Sequence, residues 1–82
     1  MKEIEIVESA RKELLNLPDQ IQRQIIGKIQ SLKSVPFPPN CKKLHGAAGY
    51  RIRSGDYRVV YVVGPAMVTI LAIGHRGWIY RM

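Results

Sequence analysis

The chain has 82 residues, 46% of them hydrophobic, with a formal charge of +7 and a mean hydropathy of -0.08. That length fits one domain with a thin core, and the apolar share excludes a disordered chain. The lone cysteine, Cys41, excludes an intrachain disulfide and a metal site built from several thiolates.

Glu3-Ile4-Glu5-Ile6 alternates with period two and predicts a half-buried strand. The alternation leaves no apolar stretch of the signal-peptide kind, and no run reaches the length of a membrane-spanning helix. A soluble, cytoplasmic protein with no membrane partner is expected. Ser9 is the expected N-cap of a first helix, in which Ala10, Leu14 and Leu17 recur at helical spacing. Pro18 opens a second helix, where Ile21, Ile25, Ile29 and Leu32 form an apolar stripe. Together these predict a helical hairpin. Pro36, Pro38 and Pro39 end the helical region, and Lys42-Lys43-Leu44-His45-Gly46 follows as an ordered loop. Three strands are then expected, at about 48–53, 57–63 and 67–73, joined by turns at Ser54-Gly55-Asp56 and Gly64-Pro65-Ala66. The last is apolar except for Thr69, as in a strand covered on both sides. The order β-α-α-β-β-β predicts a single α+β domain over residues 1–82. Its sheet is expected to be antiparallel, with the N-terminal helical hairpin packed on one face.

The charge is unevenly placed. Residues 1–32 hold five basic and five acidic groups, whereas residues 33–82 hold eight basic groups against Asp56 alone, which accounts for the +7. One cationic half is the usual footprint of phosphate binding. In a strand over Arg51-Ile52-Arg53 both guanidinium groups leave on one face, and Arg58 opens the next strand. Guanidinium forks match phosphate oxygens and aromatic faces stack on bases, so this region predicts a nucleic-acid site with no metal and no cofactor. Tyr50, Tyr57 and Tyr61 alternate with apolar residues and are assigned to packing. Asp56 is assigned to the hairpin turn.

These pieces come in a recognisable order: Glu8-Ser9-Ala10, Leu17-Pro18, a proline-rich linker and Lys42-Lys43-Leu44-His45-Gly46. Tyr50-Arg51-Ile52-Arg53, Gly55-Asp56-Tyr57-Arg58-Val59-Val60-Tyr61 and Ile73-Gly74-His75-Arg76 follow. Over nearly its whole length the chain resembles the RelE/ParE toxin superfamily of type II toxin–antitoxin systems, and within it the RelE branch. The resemblance implies a ribosome-dependent endoribonuclease that cleaves mRNA in the A site by metal-independent attack of the 2′-hydroxyl. It also implies a cognate antitoxin as partner, in a heterotetramer or larger complex, besides the ribosome and mRNA. The catalytic residues it implies are Arg51, Arg53, Arg58, Arg76 and Tyr80. Arg58 and Arg76 would contact the phosphate and the transition state, and Tyr80 would stack on a base beside the scissile bond. Some relatives carry lysine where Arg51 and Arg53 stand. Arginine titrates above about 12, so these two are expected to align and activate the nucleophile rather than take its proton.

His75 has two readings, a neutral-pH proton carrier and a surface histidine at a strand end. Lys33, Lys42, Lys43 and Arg81 are assigned to contacts with RNA phosphates. The sequence stops just after Tyr80, so no helix is expected to cover the site. Two other functions fit the same scaffold, a ParE-like DNA gyrase inhibitor without nuclease activity and a non-catalytic module that binds RNA or a partner.

Overall fold

The computed structural model describes residues 1–44 and 48–75. Its elements are β1 (Glu3–Ile6), α1 (Glu8–Leu15), α2 (Asp19–Ser31), β2 (Lys42–Lys43), β3 (Tyr50–Ser54), β4 (Tyr57–Val63) and β5 (Met67–His75). Glu8 and Asp19 stand in the first turns of their helices, where a carboxylate complements the helix dipole. Val7 and Pro18 occupy the N-cap positions in extended conformation. The first helix thus begins one residue before the expected cap, Ser9, and no side chain caps it. The bend between the helices is held by Gln22, whose side-chain amide donates to the carbonyls of Leu15 (3.2 Å) and Leu17 (2.7 Å). The first carbonyl ends α1, which has no further helical turn to satisfy it, and the second lies in the bend itself.

The sheet runs β1-β5-β4-β3-β2. Two hairpins make β3, β4 and β5 antiparallel, and β2 adds an antiparallel edge. β1 departs from the expected antiparallel sheet: it lies parallel to β5, with Ile4 opposite Val68 and Ile6 opposite Ile70, so the sheet is mixed. No tight turn dictates its direction. It is fixed by Glu3 N–H donating to Ala66 O, by Val7 N–H donating to Ile70 O, and by Lys2. The Lys2 Nζ donates to Gly64 O and Pro65 O, both at 2.8 Å. Lys42 and Lys43, expected in a loop, form β2 because Leu44 N–H reaches Gly49 O and closes the connection to β3. Gly49 has φ of +125°, and a Cβ there would meet Tyr61 O at 3.0 Å, so the close approach requires glycine.

The core lies between one sheet face and the helices. Ala10, Leu14, Ile25, Ile29 and Leu32 meet Ile52, Val59, Tyr61, Val68, Ile70 and Ile73. The expected double cover of β5 holds only in part: on the side away from the helices Ala72 is fully buried, whereas Met67 and Leu71 are exposed. Tyr61 is fully buried and its hydroxyl donates to Pro36 O at 2.8 Å, tying the proline-rich linker to the sheet. Phe37 stacks edge-on against Tyr50 at 4.9 Å, and Tyr50 lies 6.0 Å from Tyr61. The three tyrosines assigned to packing all contribute to this core or its margin.

Between Val60 and Tyr61 the register shifts: Val60 faces Ala72 but Tyr61 faces Ile70, leaving Leu71 as the extra residue of a bulge in β5. The bulge reverses which residues of β5 face the core. Val68 and Ile70 point inward before it, and Ile73 and His75 lie on the helix side after it.

Tyr61→Phe removes the donor to Pro36 O and is expected to lower stability by about 1 kcal/mol in urea unfolding. Burial raises the Tyr61 phenol above its ordinary value, which for tyrosine is about 10. Its neutral form therefore stabilises the fold fully below about pH 10, and that contribution is lost as the pH rises through the higher folded value. The alkaline loss of stability should be smaller in Tyr61→Phe. Gly27 is exposed within α2, and a Cβ added there meets nothing within 4 Å. Gly27→Ala is expected to raise stability by about 0.5–1 kcal/mol in the same assay.

Candidate nucleic-acid interface

β3 and β4 place their side chains alternately, and the pairing decides which share a face. Ile52 opposite Val59 faces the helices; Arg53 opposite Arg58 and Arg51 opposite Val60 face away. On the outer edge Lys42 pairs with Arg51 and joins the same open face. Four cations thus converge at one end of the sheet. Lys42, Arg51, Arg53 and Arg58, with Asn40 and Ile52, line a pocket of about 270 Å³, and none of these described lining residues is acidic.

Arg58 lies on the open face of the sheet and is nonetheless withdrawn from solvent. It is only 8% exposed. Its Nη1 donates to the carbonyl of Tyr57 at 3.2 Å and, at the limit of a bond, to that of Gly55 at 3.5 Å. Its neighbour across β5 is Gly74, which places no side chain beside the arginine stem. A guanidinium held by backbone carbonyls loses little freedom on binding an oxyanion. Arg53 is exposed and Arg51 half-buried.

The other expected site residues separate. His75 pairs with Tyr57 and lies on the helix side, its ring edge-on to the tyrosine at 5.7 Å, so the bulge puts it on the opposite face from Arg58. It lines a second pocket with Glu13, Asn16 and Tyr57. This geometry places His75 at the end of β5, on the other face from the arginines. Lys43 pairs with Tyr50, away from the arginine face. Lys33 sits beside Lys2 and Pro65, at the end of the sheet far from the Gly55 turn. Arg76, Tyr80 and Arg81, as well as Trp78 and His45, lie outside the described residues.

Two contributions had no clear sequence signal. Asn40 reaches the pocket from the linker, and Glu13 Oε1 accepts the Ile73 N–H at 3.3 Å, along the part of β5 that extends beyond β1. Among the described residues no three His, Cys, Asp or Glu side chains gather as a metal site would need, and no helix is long and apolar enough to cross a membrane. Cys41 is a half-buried free thiol.

Residues 4–80 match the family model for the ParE toxin of the parDE type II toxin–antitoxin system. The chain belongs to this toxin family. It is therefore a toxin of a type II toxin–antitoxin system, within the RelE/ParE superfamily. A comparison with curated proteins finds no match. Among solved structures, the toxin is similar to the archaeal RelE–RelB complex from Pyrococcus horikoshii. The identity is 31%, the TM-score 0.82, and the match covers 93% of this chain and 96% of that one. It is also similar to the RelBE2 toxin–antitoxin complex of Mycobacterium tuberculosis, with 26% identity, TM-score 0.81 and coverage of 92% and 98%. The intact RelBE complex of E. coli gives 28% identity, TM-score 0.79 and coverage of 92% and 96%.

The different settings of the two paired arginines lead to different expected costs of truncation. Arg58→Ala should lower stability by about 1–2 kcal/mol in urea unfolding, because a buried stem and its carbonyl bonds are lost. Arg53→Ala should stay within about 0.5 kcal/mol of the parent toxin.

Proposed function

We propose that this toxin is a ribosome-dependent endoribonuclease that cuts mRNA in the ribosomal A site. The observation that carries this reading is the pocket in which Lys42, Arg51, Arg53 and Arg58 converge. Its similarity to RelE chains, at 31% identity for the Pyrococcus protein, supports the same branch.

In the proposed reaction the 2′-oxygen attacks the adjacent phosphorus and loses its proton. The bond to the 5′-oxygen breaks, and that oxygen takes a proton as it leaves. The products are a 2′,3′-cyclic phosphate and a 5′-hydroxyl. The intermediate phosphorane carries an extra negative charge, and the fixed guanidinium of Arg58 is placed to hold it. Arg51 and Arg53 align the scissile phosphate and lower the cost of ionising the 2′-oxygen. Lys42 attracts the flanking backbone. Arg76 as a second transition-state contact and Tyr80 as a base-stacking group complete the proposed set, with Arg81 on the RNA backbone. These cations supply the charge stabilisation without a metal, and the toxin acts in the cytoplasm where ribosomes are found.

The similar solved structures are complexes with RelB-type antitoxins. The proposed partner here is an acidic cognate antitoxin that shields the cationic half, in a heterotetramer or larger assembly. Co-expression with the adjacent reading frame should give a complex that survives moderate salt; a toxin that purifies alone, with undiminished toxicity, would rule that partner out.

Induction of the toxin should stop translation, and primer extension should show mRNA cuts within codons at the A site. Cleavage by purified toxin on programmed ribosomes should persist when free divalent metal is held at the minimum that keeps ribosomes intact. Arg58→Ala should slow single-turnover cleavage by about 10²–10³, the effect of losing one preorganised donor to a developing oxyanion. Full cleavage by folded Arg58→Ala would overturn the site. The match to the ParE family model favours a second reading, inhibition of DNA gyrase without nuclease activity. Intact mRNA together with gyrase-linked DNA breaks would select it.

A further inference from the structure

The arginine pocket does not end at the sheet. Asn40 and Arg53 also line a shallow groove of about 570 Å³ whose other walls are Gln24 and Lys28 of α2, with Ser54 and Gly55 at the end of β3. We infer that this groove is a second phosphate-binding subsite, and that single-stranded RNA runs from the arginine pocket around the end of β3 onto α2.

The lining chemistry selects the ligand. Lys28 and Arg53 supply two cations, and Gln24 and Asn40 supply amides that can donate to phosphate oxygens or engage a ribose 2′-hydroxyl. No described lining residue is acidic or a large apolar side chain. A protein partner would want an aromatic or aliphatic anchor at the centre of such a groove, and there is none. Backbone contacts of this kind hold a strand in register without reading its bases. The nearest acidic group along the chain, Asp56, follows Gly55 in the turn and is exposed.

The geometry also explains why α2, part of the half with no net charge, carries a cation at this spot. Lys28 lies three residues past Ile25 and one before Ile29, the two buried anchors of the helix. Their burial turns the rest of α2 outward, and Lys28 comes to the side where β3 ends. Only two residues of β2 pair with β3, opposite Tyr50 and Arg51, so no strand among the described residues covers the outer edge at Arg53. The groove passes through that opening.

This subsite extends the RNA-cleaving reading of the pocket but has its own test. Binding of a fluorescein-labelled RNA dodecamer and of a trinucleotide is measured by anisotropy over a salt series. The samples are the parent toxin, Lys28→Ala, Gln24→Ala and Arg11→Ala, the last removing an exposed cation paired with Glu8 elsewhere on the surface. Lys28→Ala should weaken dodecamer binding about fivefold at about 0.1 M salt and reduce the salt slope by about 0.7, as for one lost phosphate contact on a single strand. Trinucleotide binding should change less, and Arg11→Ala should match the parent. Equal losses for Lys28→Ala and Arg11→Ala, or none for either, would overturn the subsite. So would preferential binding of duplex DNA, or capture of a protein through Lys28 with no effect on RNA. If Lys28→Ala weakens the dodecamer while Arg58→Ala leaves cleavage unchanged, the subsite stands and the catalytic assignment fails. The reverse pattern rejects the subsite alone.

Discussion

The two-residue turn at Gly55–Asp56 sets the register of β3 against β4, and the open face depends on that register. Gly55 has φ of +60°, and no non-glycine described residue has a positive φ, which matches a type II′ turn with glycine first. The closing pair, Ser54 with Tyr57, then forces Arg53 opposite Arg58 and Ile52 opposite Val59. A slip of one residue would turn Arg51 and Arg53 into the core and lift Ile52 out of it. Like charges directly opposite each other oppose strand pairing. The apolar side outweighs this: Ile52, Val59 and Tyr61 are buried to 2% exposure or less, and burying each contributes about 1.5–3 kcal/mol. The core holds together two arginines that would otherwise separate.

The bulge opposite Val60 and Tyr61 completes this arrangement. By shifting β5 one residue it brings Gly74, with no side chain, next to Arg58, and sends His75 to the helix side. Arg58 can then lie close to the sheet with its head against the Gly55 and Tyr57 carbonyls. In this setting, mostly shielded from water, its charge acts through a lower effective dielectric than that of exposed Arg53. Two arginines on one face therefore do different work. One is buried and held by backbone carbonyls, and the other is exposed to solvent.

Much of this was legible in the sequence. The isoleucine stripe marked α2, the alternation of tyrosine and valine marked β4, and Gly55-Asp56 marked the turn. Arg51 and Arg53 fell on one face because a strand has period two. The features that stayed hidden depend on long-range pairing. β1 lies parallel to β5 through hydrogen bonds to residues more than sixty positions away, such as the Lys2 bond to Gly64, and local pattern does not carry that information. β2 spans two residues, too few to show any period. The bulge is hidden because residues 67–73 are almost uniformly apolar, so the phase shift leaves no trace in hydropathy. Without that extra residue the strand period would put His75 on the arginine face; with it His75 lies on the other. Arg58 resembled Arg53 in sequence and differs only through its neighbour on β5.

Charge on the open face is graded across the strands. Ile4 and Ile6 of β1 pack toward the core, so Glu3 and Glu5 face the open side at one edge, while the cations gather at β3 and β2. Three strand spacings separate β1 from β3, about 14 Å. That exceeds the screening length of about 8 Å at physiological salt. The two glutamates therefore do little to neutralise the arginine pocket, yet they make the β1 edge unfavourable for a polyanion. For an RNA strand bound as proposed, the charges of the described residues favour the direction across the sheet past Arg53 and the end of β3. Lys28 stands on that side and the glutamates on the other. The mixed topology thus gives the face a polarity, because placing the first strand beside the last puts the acidic edge and the cationic edge on opposite sides of one sheet.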